Sequence, residues 1–473
     1  MNNKTLLVYP NRETKNFLND DKNFLILDEN GVSHFCSKDK KRILIHNSMR
    51  VFFKLNDIRN ELNWWLPIFE RWVGKSYLYE DYRIKILNLI NYLAEISSFT
   101  NIQRVIHFTA VPHHILSVTS SIFSIKLSID QIFFYPSIFD GRLIPIVQKA
   151  SSYKREVIFH KNTKISYDEL INEFLKNKIS GNPPKLNPKI TSKKKSFLFA
   201  FMFLTVRYIK NSIFGFKSIN PLKNAPFFFD EEQFNTSNYY EIIRGQKSFL
   251  KLYKELSIST SNFLKVFEKN KKILLIAAHY QPEATSFPEG GDYINHIDIV
   301  NKLRQIGYEE PLYYKEHPAT KLYIDPPHLF ITKVSMYKSS LYLNYLSKLN
   351  VVFVDYSFPL EIENNLSEKY LPITITGSIA IERSLVGLKT IVCGKPIYEG
   401  LPGTTHISSI NDKKMIGDMD LRRDEKIAKK AKDFLKNIMD NNTIVNPFGI
   451  ATGIKEKQTQ QEFIEFLKTS NFS

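Results

Sequence analysis

Length, composition and charge narrow the class of protein. A chain of 473 residues exceeds one ordinary core and predicts two or three domains, while 43% hydrophobic and 24% charged residues exclude a disordered or fibrous protein. With only two cysteines, Cys36 and Cys393, the sequence excludes a disulfide framework and a cysteine-based zinc site, and it fits a reducing compartment. Both cysteines are interpreted as small buried hydrophobic residues. A formal charge of +17 favours anionic partners, although a solvated lysine-rich surface gives the same balance.

The N-terminal part of the chain alternates between short apolar runs and helical periodicity. The predicted strands are Thr5–Tyr9, Phe24–Leu27, Arg42–His46, Arg104–Phe108 and Gln131–Tyr135, and the predicted helices are Asp81–Ile96 and His113–Ile125. This alternation is typical of a parallel sheet with helical crossovers. We therefore predict an N-terminal Rossmann-like lobe over residues 1–175.

The middle of the chain, residues 176–235, has a different composition. Lys176–Lys195 is rich in lysine, contains Gly181 followed closely by Pro183, Pro184 and Pro188, and is typical of a linker. Ser196–Val206 is rich in phenylalanine and too short to span a bilayer, which requires about 20 residues. Two interpretations stay open: an interfacial helix with a basic rim at an anionic membrane, or a helix buried between domains.

Regular alternation returns after this segment and predicts a second Rossmann-like lobe over residues 236–415. Its predicted strands are Lys271–Ala278, Leu312–Lys315, Asn350–Val354, Ile373–Thr376 and Lys389–Cys393, and its predicted helices are Ile294–Gln305, Leu341–Lys348 and Ser378–Leu385. Residues 416–473 are predicted to form C-terminal helices at Arg423–Met439 and Lys457–Lys468. Ligands of such open sheets bind at the carboxyl ends of the strands, and two facing lobes would place a cleft between them.

Three strand-end loops of the second lobe carry polar side chains suited to a ligand. His279, after the first strand, can donate to an anionic oxygen, and Glu283 in the same loop can act as a general base; a capped turn is the alternative. Lys315 and His317 end the second strand, where Pro318 keeps His317 extended and a protonated imidazole can neutralise a phosphate.

The third loop is the strongest of these signals. Thr376, Gly377 and Ser378 join an apolar strand to a helix, where backbone amides and hydroxyls favour a phosphate. Glu382, four residues after Ser378, lies on the same helical face and can accept hydrogen bonds from sugar hydroxyls. An ordinary helix N-cap with a surface glutamate is the alternative.

Several familiar motifs are missing from the sequence. It contains no GxxxxGK[ST], GxGxxG, HExxH or GxSxG pattern. No Asp-x-Asp pair follows a predicted strand as in metal-dependent transferases, so we predict metal-independent stabilisation of the phosphate, with no metal ligands and no permanently bound cofactor.

The order of the loops resembles the bacterial capsule polysaccharide biosynthesis family, which includes the Kdo transferases of capsule assembly. The resemblance lies in HYQPEATSFPEGG, YKEHP, VVFVDYSFPLE and TITGSIAIERSLVGLKTIVCGKPIYEGLPG, and covers Lys271 to Gly403. It implies a GT-B fold, with two Rossmann-like lobes facing a cleft, and a CMP-activated acidic sugar such as Kdo as donor.

The same resemblance implies roles for individual residues. His317 would bind the CMP phosphate with Ser378 and Thr376, and Glu382 would contact the ribose or sugar. Glu283 lies near the position of an acidic residue that faces the donor sugar. The implied sites are Glu283 and His317 as catalytic residues and, for the nucleotide-sugar, His279, Gln281, Lys315, Thr376, Gly377, Ser378 and Glu382. Arg383 departs from the small residue expected after the glutamate.

The hypothesis also includes candidate acceptor-binding residues, a cellular location and alternative functions. His113 and Arg142 lie in predicted loops of the first lobe and are the candidates for binding a glycan or lipid-linked acceptor, with a structural ion pair as the alternative for Arg142. The N-terminus lacks a signal-peptide pattern, which predicts a cytoplasmic enzyme, with peripheral contact at the inner membrane left open. A UDP-sugar transferase and a non-catalytic carbohydrate- or nucleotide-binding member of a capsule assembly complex are the alternatives. A nucleic-acid binder has only the net charge in its favour.

Overall fold

The structure is a computed structural model, and it divides into two compact units. Unit 1 comprises Met1–Ile165, Asn211–Asn235 and Asp440–Ser473, and unit 2 comprises Ser166–Lys210 and Thr236–Met439. The residues that the structure describes are 4–8, 23–28, 31–34, 50–63, 65, 79–108, 115–136, 142–148, 155–157, 171–172, 174, 248–269, 272–279, 289–317, 340–356, 358, 365–442, 444–445, 463 and 466–467. The predicted strand Arg42–His46 and the segment 176–206, with its linker and its phenylalanine-rich run, lie outside them.

Unit 1 contains a mixed sheet. Its strands are β1 (Lys4–Val8), β2 (Phe24–Asp28), β3 (Gly31–His34), β4 (Ile102–His107), β5 (Asp130–Pro136), β6 (Arg142–Gln148), β7 (Arg155–Val157) and β15 (Ile444–Val445), and its helices include α1 (Tyr79–Thr100) and α2 (Ile115–Lys126). The strand order is β15-β6-β5-β4-β1-β2-β3, with β7 paired to β6. β2, β1, β4 and β5 are parallel neighbours, as predicted.

The flanking strands of this sheet correct the prediction of a purely parallel arrangement. β3 pairs antiparallel with β2, and β6 pairs antiparallel with β5. Only two residues separate β2 from β3 and five separate β5 from β6. Such short connections can join antiparallel neighbours but cannot return a chain for parallel pairing.

Residues from the far end of the sequence complete the core of unit 1. Phe463, Phe466 and Leu467 are buried with apolar side chains of β1, β2, β4, β5 and β6. β15 pairs with β6, and Arg104 of β4 donates a hydrogen bond from Nη2 to the Leu467 carbonyl at 2.9 Å. The region predicted as a separate C-terminal segment, 416–473, is therefore divided between the units.

Unit 2 contains a sheet whose paired strands are all parallel. Its strands are β8 (Ser257–Ile258), β9 (Ile273–Ala277), β10 (Leu312–Lys315), β11 (Val351–Val354), β12 (Tyr370–Thr374), β13 (Thr390–Val392) and β14 (Thr404–His406). The order is β14-β13-β12-β9-β10-β11-β8. Without β8, this is the order of a Rossmann sheet, in which the chain runs outward from β9 in one direction and then restarts at β12 on the other side.

Helices cover both faces of this sheet. They include α3 (Thr260–Lys269), α4 (His296–Gln305), α5 (Ser340–Lys348), α6 (Ile379–Leu385), α7 (Lys413–Gly417) and α8 (Glu425–Asn442), and residues 248–256 are also helical. Alternate residues of each strand enter different cores because side chains alternate across a sheet. Leu274 and Ile276 pack with α4 and α5, whereas Ile273 and Leu275 pack with α3. Within the described ranges, no helix is both long and apolar enough to cross a membrane.

Candidate functional site

The carboxyl ends of β9 and β12 meet at the point where the strand order reverses. His279 follows β9 and Thr376 follows β12, and both are almost fully buried. The Thr376 backbone N–H donates to Nε2 of His279 at 3.2 Å, and the Thr376 hydroxyl lies 3.2 Å from the same nitrogen. Because a backbone N–H can only donate, Nε2 is the accepting nitrogen of the neutral ring. Two loops that the sequence singled out are therefore in direct contact.

Gly377 is required by close packing in this contact. A side-chain Cβ at this position would lie 2.5 Å from Thr374 Oγ1 and 3.1 Å from His279 Cε1. The Gly377 N–H donates to Thr374 Oγ1 at 3.1 Å. This amide is therefore already used within the protein, and the prediction that the turn offers its free amides to a phosphate is wrong for Gly377.

Ser378 and Glu382 form a pair on the outer side of the same turn. The Ser378 hydroxyl donates to Glu382 Oε1 at 2.8 Å, which confirms that the two residues share one face of α6. Ser378 is exposed and occupies the N-cap position of α6, but its side chain makes no capping hydrogen bond. Tyr398 closes the turn from the other side, where its hydroxyl donates to the Gly377 carbonyl at 2.7 Å.

Glu289–Gly290, which belong to the predicted binding segment HYQPEATSFPEGG, pack against this turn. The Lys395 N–H donates to the Glu289 carbonyl at 2.7 Å. A Cβ on Gly394 would lie 2.5 Å from that carbonyl oxygen and 2.9 Å from Thr376 Cγ2. Burial raises the pKa of the Glu289 carboxyl well above its ordinary value. The sequence predicted a binding loop here, but nothing local to it indicated the contact with Gly394, two residues after β13.

Lys315, the last residue of β10, is a buried cation on the face of the sheet that also carries Ala277 and Thr374. It pairs with Ala277, and Ile373 pairs with Ile276, so Lys315, Ala277 and Thr374 form one row across three strands. Paired residues of parallel strands point to the same face. Only 5% of Lys315 is exposed.

The charge of this lysine is incompletely balanced. In the part of the chain that the structure describes, its ammonium makes neither a hydrogen bond nor an ion pair, and Glu316 and Asp355 act on it only as nearby charges. Burial lowers the pKa of Lys315 to about 8. A buried cation without a direct partner is the arrangement that an anionic ligand completes.

The neighbouring Glu316 is fully buried and points to the opposite face. Its carboxylate accepts hydrogen bonds from the Tyr314 hydroxyl and from the His317 N–H, each at 2.9 Å. Its own N–H donates to the Tyr253 hydroxyl at 2.9 Å. His317 is half-buried beside it. The hydroxyls of Tyr253 and Tyr314 therefore hold the end of β10 in place.

His296 connects this buried group to His279, and the sequence analysis missed it. The His279 N–H donates to His296 Nε2 at 3.2 Å, and His296 Nδ1 lies 3.1 Å from the Tyr342 hydroxyl. His296 is fully buried as the first residue of α4, directly after the N-cap Asn295. A histidine after an N-cap asparagine is the one local signal that pointed to this position.

Among the described residues, the other residues predicted for the site do not lie at it. Gln281, Glu283 and His113 lie outside the described residues. Arg142 was placed in a loop, but it is the first residue of β6 and pairs with Val445 of β15. The loop interpretation failed because the partner strand of this edge comes from the distant C-terminal part of the chain.

Arg383 has a structural role that explains its departure from the expected small residue. It is fully buried and donates to the carbonyls of Lys389, Ser367 and Tyr370 at 2.9, 3.0 and 3.2 Å. Its guanidinium lies 4.8 Å from the centre of the Tyr370 ring. Arg383 therefore joins α6 to the amino ends of β12 and β13 instead of reaching the ligand side.

Within the described ranges, no group of three or more histidine, cysteine, aspartate or glutamate residues is arranged to hold a metal ion. Comparison with protein-family models, with curated proteins and with solved structures finds no match to this chain.

Proposed function

We propose that this protein is a glycosyltransferase of capsule or surface polysaccharide biosynthesis. It would transfer an acidic sugar, Kdo or a relative, from a CMP-activated donor to a glycan or lipid-linked acceptor. The donor site would lie at the carboxyl ends of β9, β10 and β12 in unit 2. The proposal includes a GT-B arrangement in which unit 1 provides the acceptor site, with Arg142 and His113 as its candidate residues.

The strand order supports the position of the donor site. In open α/β sheets, ligands bind beyond the carboxyl ends of the strands where the order reverses. In this sheet that point lies between β9 and β12, at the contact of His279 with Thr376. Hydroxyl and carboxylate groups at the adjoining turn, those of Ser378 and Glu382, suit the hydroxyls of a ribose or sugar.

The burial of the Lys315 ammonium is the single observation on which the proposal mainly depends. A lysine that is 5% exposed and lacks a direct anionic partner among the described residues, at a ligand-binding edge, calls for a negatively charged ligand. In the proposed reaction, an acceptor hydroxyl attacks the anomeric carbon while the bond from that carbon to the phosphate oxygen breaks, and a general base, for which Glu283 is the candidate, takes the hydroxyl proton. The leaving CMP gains negative charge, and Lys315 with His317 would stabilise it.

Location and partners follow the same hypothesis. The substrates place the enzyme in the cytoplasm, with its lipid-linked acceptor at the inner face of the membrane. The formal charge of +17 supports peripheral attraction to anionic lipid. The proposal requires neither a metal ion nor a permanently bound cofactor.

A donor screen tests the proposal. Purified protein is heated with CMP-Kdo, CMP-sialic acid, UDP-sugars and GDP-sugars, and the unfolding midpoint is compared with that of the free protein. A donor at about 100 times its Kd stabilises the folded state by about 2.7 kcal/mol. We expect stabilisation by the CMP-linked sugars and release of CMP when an acceptor is added.

Two lysine variants separate a specific site from general charge attraction. Lys315→Met should abolish the stabilisation by CMP-sugars, whereas Lys348→Met, at an exposed position on α5, should retain it. Stabilisation by UDP-sugars alone would favour the alternative in which the protein is a UDP-sugar transferase. Binding without CMP release would favour the non-catalytic alternative, and no response to any nucleotide-sugar would refute the proposed function.

A further inference from the structure

A chain of buried hydrogen bonds runs through unit 2 from His279 to Glu316. The His279 N–H donates to His296 Nε2 at 3.2 Å. His296 Nδ1 and the His296 backbone N–H lie 3.1 and 3.2 Å from the Tyr342 hydroxyl. The Tyr342 hydroxyl is hydrogen-bonded to that of Tyr314, which in turn donates to Glu316 Oε2 at 2.9 Å.

The chemistry of these groups determines which form of His296 is present. The His279 backbone N–H is always a donor, so His296 Nε2 must be unprotonated to accept it. The ring proton therefore resides on Nδ1, from which it is donated to Tyr342. Because the Glu316 carboxylate only accepts, Tyr314 donates to it and accepts from Tyr342. Every bond in the chain then has one donor and one acceptor, and His296 is neutral.

A proton added to His296 would break this arrangement. It would have to bind Nε2, and the protonated ring would then place an N–H against the His279 N–H. His296 is fully buried, with its ring 5.5 Å from that of Tyr314, so it has no space to turn its ring toward solvent. Two donors facing each other in a buried site leave both without a partner, which is strongly unfavourable.

Loss of the hydrogen bond between His279 and His296 would also affect the proposed donor site, because His279 takes part in both. The same residue that donates its backbone N–H to His296 accepts the Thr376 N–H on its ring Nε2. The position of the His279 backbone therefore determines whether its ring can reach β12. The chain of hydrogen bonds links the ends of β9, β10 and β12 through α4 and α5.

We propose that His296 is a positioning residue, which holds His279 against Thr376 only while its ring is neutral and carries its proton on Nδ1. The effect on ligand affinity rests on the proposed function, whereas the effect on the His279 backbone does not. Other titratable groups face this region: Tyr342 from α5, Tyr314 and Glu316 from β10, His279 from β9, and Asp298 from α4.

Hydrogen exchange of the backbone measures the positioning directly, without any ligand. We compare wild type, His296→Leu and His296→Gln at pH 7.5 and 5.5, with rates corrected for the intrinsic effect of pH. Glutamine can accept the His279 N–H but cannot gain a proton in this range. In wild type, the 273–279 segment should exchange up to about tenfold faster at pH 5.5 than at pH 7.5, because His296, with an ordinary pKa near about 6.5, can gain a proton once its bond to His279 opens.

The two variants should respond in opposite ways. His296→Leu should exchange rapidly at both values of pH, and His296→Gln should remain protected at both. A pH response that persists in His296→Gln would assign it to His279 itself and overturn the proposal. Protection of His296→Leu equal to that of wild type would overturn it as well. If the leucine variant fails to fold, the comparison of wild type with His296→Gln still tests whether the pH response depends on His296.

Affinity for CMP provides the second readout. If CMP binds, its Kd in wild type should rise from pH 7.5 to 5.5 by up to about tenfold more than it does in His296→Gln. The change that remains in His296→Gln measures the titration of the CMP phosphate and of groups other than His296. If CMP binds to none of these proteins, the proposed function fails, while the exchange experiment still tests the role of His296.

Discussion

The buried ammonium of Lys315 connects the stability of the protein with the chemistry of its candidate site. The ordinary pKa of a lysine is 10.5, and burial lowers that of Lys315 to about 8. The folded protein therefore holds this proton more weakly than the unfolded chain does. Below pH 8 the charged lysine destabilises the folded state by about 3 kcal/mol, since one pKa unit corresponds to about 1.4 kcal/mol.

Replacement of this lysine should reveal the effect through its pH dependence. Between pH 8 and 10.5 the unfolded chain binds more protons, so the free energy of unfolding contributed by Lys315 rises with pH. We expect Lys315→Met to be more stable than wild type at pH 7 by up to about 3 kcal/mol. This advantage should shrink as the pH is raised from 8 toward 10, as measured by urea unfolding.

A difference between the two proteins that does not change with pH would contradict this explanation. The variant should also lose the response to CMP-sugars, because stability and function are opposed at a charged binding residue. Titration of the buried tyrosines affects both proteins equally, so only the difference between them reports on Lys315.

Sequence patterns were informative for residues at strand ends and uninformative for buried polar residues. His279, Lys315 and Thr376 were predicted at three strand ends, and these strands, β9, β10 and β12, are neighbours in the sheet. Arg383 and His296 could not be interpreted in this way. Their roles depend on carbonyl and amide groups of residues distant in sequence, and no local periodicity encodes such partners.

The turn after β13 shows how closely neighbouring elements approach at the site. Gly394 lies against the Glu289 carbonyl and against Thr376, and the backbone segment that carries Glu289 is bonded to Lys395. The carbonyl is part of the main chain, so it cannot move aside as a flexible side chain would.

Gly394→Ala should therefore destabilise the protein. The added methyl group would lie 2.5 Å from the Glu289 oxygen, and such overpacking costs about 1–3 kcal/mol. The matched control is Gly417→Ala at the end of α7, where the Cβ would meet nothing within 4 Å. In a helix, alanine is favoured over glycine by up to about 1 kcal/mol. Urea unfolding should show a loss for the first variant only, and equal midpoints for both would contradict the packing argument.

Element boundaries were predictable where the apolar runs are long, and less so at the sheet edges. The predicted helix Asp81–Ile96 corresponds to α1, and the predicted strand Leu312–Lys315 coincides with β10. β8 and β14 were not predicted. With two and three residues they are too short for a periodic signal, and only pairing with a neighbour makes them strands.

At the scale of the molecule, the chain leaves unit 2 and returns to unit 1 near Asp440. Phe463 is 1% exposed, and its ring lies 5.3 Å from that of Phe134. The core of the first sheet thus depends on residues separated from it by the whole of unit 2.

Phe463→Ala should destabilise unit 1 selectively. Loss of a buried phenylalanine costs about 3–5 kcal/mol. Hydrogen exchange should accelerate in β1, β4 and β5 but not in β9 and β10. Phe99→Ala is the control because Phe99 lies in the same unit with 46% of its surface exposed, and its effect should stay within about 0.5 kcal/mol. Similar exchange profiles for the two variants would count against a role of Phe463 in the core.

By itself, the sequence determined the α/β class, most strands and helices of the described chain, and the strand ends at which polar residues gather. These features depend on local periodicity and on turn residues. The tertiary structure alone decided the antiparallel edges of the first sheet, the return of Phe463 to it, and the link from Glu316 through His296 to His279. Each of these depends on contacts between residues far apart in the chain, which form only when the burial of apolar surface brings them together.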